Sequence, residues 1–113
     1  MEEVNERTTP KVTVAFTDEN GAPVVPNNAW YRIDDAFSET AMLAETAISP
    51  LASSVDIELT QSDTTILDEN NEFEIRRITT RWKYWTGSRW KWDANEYFLK
   101  IKNLAGVTAT SPV

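Results

Sequence analysis

The sequence predicts an all-β protein: an immunoglobulin-like antiparallel β-sandwich of six to seven strands with flexible terminal arms. Three observations predict it. The chain has 113 residues, its apolar residues recur mostly with a period of two, and turn-forming residues separate the apolar segments. A chain of this length with 41% hydrophobic residues can bury one two-layer core and little more. We therefore expect a single sandwich domain over residues 11–103, with a flexible arm at 1–10 and a tail at 104–113.

The N-terminal third of the chain is predicted to contain the arm and two strands. Residues 1–10 are polar and end in a proline, which is typical of an arm that orders only on a partner. The next segment alternates apolar with polar or small residues, as a half-buried strand does, and its apolar positions are Val12, Val14 and Phe16. Turn residues at 18–23 separate it from a second strand, which we predict at 29–35.

The middle of the chain has a less regular pattern. Residues 38–48 have some helix propensity, but the following Ser-Pro pair and the β-type flanking segments favour a third strand. Residues 55–59 alternate clearly and predict a strand with one face in water. Residues 60–67 are predicted to be a connector with one helical turn, for which Ser62 or Asp63 is a plausible cap.

The pattern in the last part of the chain predicts a long hairpin, with its turn at Gly87 and with its second strand ending at Asn103. Its first strand has an irregular pattern, because the apolar residues change phase between residues 75 and 78. A β-bulge near residues 76–77 would restore a common phase, and we predict one there.

Composition excludes several classes of chemistry. The chain has no cysteine and no histidine, which excludes disulfides, thiolate or imidazole zinc sites, and catalysis that needs an imidazole or a thiol. Its three glycines form no phosphate-binding loop. Carboxylate pairs at 34–35 and 68–69, with Glu72 and Glu74, match no calcium or glycosidase pattern and are interpreted as a solvated acidic face. We therefore expect that the protein is not an enzyme and that it binds no cofactor and no metal.

The N-terminus gives an expectation about localisation. It is acidic, it lacks the basic start and apolar stretch of a signal peptide, and no apolar run reaches the roughly 18 residues of a membrane helix. The absence of cysteine fits assembly in a reducing cytoplasm or stabilisation by partner subunits. We expect a protein made in the cytoplasm, with no membrane partner.

Charge is divided along the chain. Residues 1–75 contain most of the 18 carboxylates, and residues 76–113 contain most of the 11 cations. Two interpretations stay open. Acidic strands can pair with basic strands inside one fold, or copies can meet head to tail through oppositely charged faces.

The most unusual segment is residues 81–92, which holds four of the five tryptophans among arginines and lysines. Alternate aromatics could enter the core while the cations face water. Exposed tryptophans beside arginine are also typical of protein interfaces. They could alternatively stack on sugar rings or on the bases of single-stranded nucleic acid. The acidic net charge of the chain disfavours nucleic acid. The candidate partner-binding residues are Arg81, Trp85, Arg89, Trp90 and Trp92.

Two stretches together resemble small tailed-bacteriophage structural proteins with an immunoglobulin-like fold. One is the segment 30–35. The other is a series of strands and turns over residues 48–50, 55–59, 66–68, 72–78 and 103–107. The resemblance spans roughly residues 11–107 and is a pattern of strands and turns rather than a catalytic signature.

The resemblance implies a virion component present in many copies, with no catalytic residues to carry over. We expect an accessory virion protein that decorates or stabilises the capsid through protein–protein contacts, made in the host cytoplasm. Its partners would be a capsid or neck or tail protein and further copies of itself. One alternative is a neck, tail or fibre-base component. An alternative of another class is a carbohydrate-binding module that uses the Trp-rich hairpin to hold a surface glycan.

Overall fold

The computed structural model describes residues 1–104, which form two β-sheets packed face to face. Its strands are β1 (Glu2–Asn5), β2 (Lys11–Ala15), β3 (Asn28–Asp35), β4 (Ala41–Ala47), β5 (Ser54–Glu58), β6 (Phe73–Trp85) and β7 (Trp90–Lys102). Five strands form a large sheet in the order β1-β7-β6-β3-β4, and β2 pairs with β5 in a small one. The predicted all-β sandwich of six to seven strands is confirmed, and its likeness to immunoglobulin domains stays a prediction.

The period-two pattern was a good guide to the strands that line the core. Val14 and Phe16 on the first predicted strand are fully buried, as are Ile78 on β6 and Ile101 on β7. Residues 41–47, for which helix propensity competed, form strand β4. The core lies between the small sheet and the inner face of the large sheet, where the rings of Phe16 and Trp82 meet edge to face at 5.3 Å.

The N-terminal segment differs from the predicted flexible arm at residues 1–10. Residues 2–5 form β1, which pairs in parallel with the end of β7, so the large sheet is mixed rather than wholly antiparallel. Further along, the backbone N–H of Arg7 donates to Thr64 O at 3.2 Å and that of Thr8 to Thr64 Oγ1 at 3.0 Å. Tertiary hydrogen bonds thus fix a segment whose single apolar residue, Val4, gave no strand pattern. The predicted tail at 104–113 lies, except for Leu104, outside the described residues.

The predicted β-bulge near residues 76–77 is also wrong. The register of β6 with β3 and with β7 runs without a shift through these residues, and the irregular register lies instead between β3 and β4. The inner face of β6 begins with two charged residues, Glu74 and Arg76, which are 1% and 0% exposed. Phe73 and Ile75 lie on the outer face. The apolar pattern changed phase because an ion pair, not a bulge, occupies the core positions.

The buried pair is completed by groups from two other segments, strand β3 and the connector after β5. Arg76 Nη1 lies 2.8 Å from Asp35 Oδ1, and Arg76 Nη2 lies 3.1 Å from Glu74 Oε1. The guanidinium also donates to the carbonyl oxygens of Asp63 and Thr65, which belong to the connector after β5. Buried charges are tolerated only when they are paired and hydrogen-bonded, and this cluster meets both conditions. It joins the connector to the large sheet.

Glu74 makes stability sensitive to acid. Burial by itself raises the pKa of Glu74, but hydrogen bonds from the amides of Leu67 and Asp68 and from the Asn71 and Arg76 side chains outweigh burial. The pKa therefore lies below its ordinary value. A carboxylate with a lowered pKa in the folded state adds stability above its unfolded-state pKa and loses it as the pH falls through the folded-state pKa.

We accordingly expect the melting temperature to fall as the pH drops below about 4.3, the ordinary pKa of a glutamate. Glu74→Gln should be less stable than the parent at neutral pH and should lose less stability in acid. Thermal unfolding followed by circular dichroism between neutral pH and pH 3 measures both effects. Parallel pH profiles for the two proteins would contradict this assignment.

Within residues 1–104 the structure contains no helix that is long and apolar enough to cross a membrane.

Candidate functional site

The outer face of the large sheet carries most of the aromatic residues that are not in the core. The long hairpin of β6 and β7 is in continuous register from Phe73 opposite Lys102 to Trp85 opposite Trp90. Because side chains alternate across a strand, Trp82 and Tyr84 point into the core while Trp85 points outward. On β7, Trp90 and Trp92 point outward and Tyr97 and Leu99 point inward.

Six outward side chains near the hairpin turn form a continuous cluster, which we call the aromatic face: Trp30, Arg81, Lys83, Trp85, Trp90 and Trp92. Trp85 and Trp90 meet edge to face at 5.2 Å, and Trp30 stacks on Trp92 with ring centroids 5.5 Å apart. Trp85, Trp90 and Trp92 are each about half exposed, at 48%, 48% and 52%. Contiguous apolar surface of this kind is uncommon on monomeric proteins, so the aromatic face is the candidate interaction surface.

Cations fill the spaces between these rings. The Arg81 guanidinium carbon lies 5.0 Å from the Trp92 ring centre and 5.2 Å from that of Trp30. Lys83 Nζ lies 4.4 Å from the Trp90 ring centre and 5.6 Å from that of Trp92. These distances are within cation–π range, so the cations hold the rings in place. The rings are therefore ordered in advance of any contact.

The predicted site residues are mostly brought together. Arg81, Trp85, Trp90 and Trp92 belong to the aromatic face, whereas Arg89 lies in the exposed turn beside it. In that turn the N–H of Thr86 donates to Arg89 O at 3.0 Å, and Gly87 takes the positive φ of 99° that favours glycine. Their role in binding a partner stays a prediction.

Sequence reasoning missed Trp30 and Lys83 as members of the cluster. Trp30 reaches it because β3 pairs with β6 in a register that sets Trp30 opposite Arg81. That register connects residues about fifty positions apart, and no local pattern reveals it. Lys83 could have been found, since it lies two residues after Arg81 on the same strand and so on the same face.

The divided charge of the sequence is largely paired inside the fold. Each of the cations Arg76, Arg77, Arg81, Lys91 and Lys100 forms an ion pair with a carboxylate from residues 1–75. On the outer face, Arg81 Nη2 lies 2.8 Å from Glu45 Oε1. At the side of the hairpin, the Lys91 ammonium lowers the pKa of Glu19 by a hydrogen bond and by its charge. Acidic strands beside basic ones explain the bipolar sequence.

The carboxylates that could suggest chemistry are dispersed. Asp34 and Asp35 point to opposite faces of the large sheet, where Asp34 pairs with Arg32 and Asp35 with Arg76. Glu74 is held by the loop that precedes β6. Among residues 1–104, no three acidic side chains converge in a way that could hold a metal ion.

Two depressions lie at the sheet edges. A shallow, open one of about 560 Å³ is lined by Arg81, Trp92, Asp93 and Ala94, next to the aromatic face. A smaller one of about 190 Å³ lies between β5 and the end of β4, and Tyr31 lines it. Burial, and secondarily the Asp63 charge, raises the pKa of Tyr31, so its hydroxyl stays protonated.

No protein-family model matches the chain, and no curated protein and no solved structure matches it significantly.

Proposed function

We propose that this chain is an accessory structural protein of a tailed-bacteriophage virion and that it acts by protein–protein contact rather than by catalysis. Capsid decoration or stabilisation is the role we put first, ahead of a neck, tail or fibre-base role. The observation that carries the contact function is the aromatic face, with three half-exposed tryptophans on one rigid sheet. The virion setting comes from the sequence resemblance alone.

The composition of the aromatic face favours a protein partner. Interface hot spots are enriched in tryptophan, tyrosine and arginine, which bury large areas at a low cost in conformational entropy. Here those residue types are already locked by mutual contacts, so little further ordering is needed on binding. A face of this kind suits a repeated contact with neighbouring subunits in an assembly.

A polyanion fits the face less well. Binding to nucleic acid depends on cations that are free to neutralise phosphates. On the outer sheet face Arg32 and Arg77 are paired with Asp34, and Arg81 is paired with Glu45. The surface is therefore close to neutral over much of its length, which supports a partner with mixed polar and apolar character.

Mass spectrometry of purified particles tests the virion setting. We expect to find the chain in the particle. A decoration protein should be present in a copy number that follows the number of capsid subunits, whereas a neck or tail protein should be present in the few copies of a small ring. A particle preparation that lacks the chain would end the virion proposal.

Trp85→Ala tests the contact role. It should weaken binding of the purified protein to particles that lack it by at least about tenfold, since hot-spot truncations cost about 2 kcal/mol or more. Sedimentation of labelled protein with such particles measures the affinity. Phe37→Ala is the matched control, because Phe37 is 57% exposed and contacts Phe73 at the opposite end of β6 from Trp85. Equal binding by both variants and the parent would rule out this surface.

A carbohydrate-binding module is the second candidate, because tryptophans exposed to solvent can stack on sugar rings. The ring geometry favours it less: Trp85 and Trp90 stand at 65° to each other rather than in one plane, and Lys83 lies over Trp90. A glycan array read together with tryptophan fluorescence distinguishes the two candidates. A specific glycan that quenches the fluorescence, with unchanged binding to particles, would favour the module.

A further inference from the structure

Strand β7 has an open edge over most of its length. β6 covers one side of it from Trp90 to Lys102, but β1 covers the other side only between Leu99 and Lys102. Within the part of the chain that the structure describes, no strand pairs with the outer side of residues 90–98. Open edges present unpaired backbone groups and are the places where a further strand can add.

The direction of the backbone groups follows from the hydrogen bonds at the end of β7. The N–H of Asn103 donates to Glu72 O on the β6 side at 2.9 Å, whereas Lys102 O accepts from Glu6 N on the β1 side at 3.0 Å. Because the direction alternates along a strand, the odd-numbered residues of β7 bond to β6. The even-numbered residues from 90 to 98 therefore direct their N–H and C=O groups to the open edge.

Two of these edge amides are satisfied locally. The N–H of Ala94 donates to Asp93 Oδ1 at 2.8 Å, and the N–H of Glu96 donates to Asn95 Oδ1 at 2.9 Å. Such bonds to neighbouring side chains satisfy the edge amides without a partner strand. An incoming strand would replace them without disturbing any bond between β6 and β7.

We propose that two copies of this chain pair through this edge in antiparallel fashion, about a twofold axis at Ala94. Ala94 is the midpoint of the open stretch, so this register uses all of its length. Each Trp90 then lies opposite Phe98 of the second copy, and each Trp92 opposite Glu96 of the second copy. The two large sheets join into one.

The side chains are complementary in this register. Trp90 and Phe98 are exposed by 48% and 46%, and cross-strand aromatic pairs stabilise sheets. Glu96 of the second copy comes beside Trp92; in its own copy this half-exposed carboxylate lies 3.5 Å from Arg77 Nε. The neighbour of Trp92 on β6 is Lys83, a cation without a carboxylate partner among the described residues. Asp93 faces Asn95 of the second copy rather than another Asp93. The partner we infer is therefore a second copy of this chain.

The small size of Ala94 suits a twofold axis. It lines the open depression together with Arg81, Trp92 and Asp93, which leaves room for the same residue of another copy. An isologous contact of this kind closes as a dimer instead of growing into a fibre. It also places two aromatic faces side by side, which enlarges the surface used in the proposed function.

This inference deepens the proposed function but is measured independently of it. Oligomeric state is a property of the purified chain, whereas the virion setting is read from particles. A dimer that does not bind particles would support the edge pairing and contradict the proposed function. A monomer that binds particles would do the reverse.

A single cysteine at the axis tests the register. The chain has no cysteine, so Ala94→Cys introduces one thiol per copy. Directly opposed residues in a hydrogen-bonded antiparallel pair have Cα atoms about 5.5 Å apart, which suits a disulfide. We expect rapid formation of a covalent dimer under mild oxidation. Ala44→Cys, exposed on the opposite edge strand β4, is the matched control and should react only slowly. Equal cross-linking rates, or none at position 94, would overturn the proposal.

Ala94→Pro provides a second test. Proline removes the N–H that points to the open edge and leaves the bonds to β6 intact, so the fold should survive. We expect the parent protein to sediment as a dimer and Ala94→Pro as a monomer with an unchanged circular dichroism spectrum. A parent chain that stays monomeric at its highest soluble concentration, or a fully dimeric Ala94→Pro, would contradict edge pairing. If Ala94→Pro fails to fold, the cysteine experiment decides alone.

Discussion

Arg76→Ala is expected to lower the free energy of unfolding by about 3–5 kcal/mol, the range found when one member of a buried ion pair is removed. The substitution leaves the carboxylates of Glu74 and Asp35 inside the protein without their cation. It also leaves two connector carbonyls without their donor. At neutral pH the variant should be largely unfolded or should have a loosened connector over residues 60–67.

Urea unfolding of the parent, Arg76→Ala and Arg77→Ala measures the effect. Arg77 is the next residue on the same strand, but it lies on the outer face, 25% exposed, where its nearest partner is the exposed Glu39 at 2.6 Å. Glu96 at 3.5 Å and the more buried Asp34 at 3.8 Å are weaker partners. Ion pairs at the surface contribute about 0–1 kcal/mol, so Arg77→Ala should cost little. Similar losses for the two variants would mean that the cluster does not hold the core together.

Trp82→Ala is expected to cost about 3–5 kcal/mol, as large-to-small substitutions of buried aromatic residues do. Trp82 is 2% exposed, packs against Phe16 and donates a hydrogen bond from Nε1 to Thr17 O at 3.1 Å. Its removal leaves a cavity between the two sheets and an unpaired carbonyl.

Trp92→Ala is the natural control for this prediction, because Trp92 is a tryptophan of the same hairpin that lies on the outer face. Its loss removes contacts with Trp30 and Arg81 but opens no cavity, so the free energy of unfolding should change by about 1 kcal/mol or less. Chemical unfolding of both variants, with matched slopes, measures the difference. A larger loss for Trp92→Ala than for Trp82→Ala would reverse our assignment of the two faces.

Much of the fold could be predicted from the sequence. Alternation identified the strands around Val14, Ile57 and Ile78, because one face of each strand is buried against the opposite sheet and the other meets solvent. Turn residues located the hairpin end at Gly87. These signals are local, and they depend only on which side chains leave water.

The tertiary structure decided the features that depend on long-range pairing. β1 escaped notice because its bonds to β7 join residues nearly a hundred positions apart. The buried Arg76 broke the apolar pattern because its partners come from β3 and the connector, so a charge could stand where an apolar residue was expected. The aromatic face was foreseen in part, from the composition of residues 81–92.

For this protein, then, the sequence by itself determined the fold class, the approximate strands and the richest candidate surface. Only the tertiary structure decided which tryptophans face solvent, which charges are buried and which sheet edge is open. The physical reason is that alternation specifies two faces of a strand but not which face will be covered. That choice is made by the register and by the segments that pack from elsewhere in the chain.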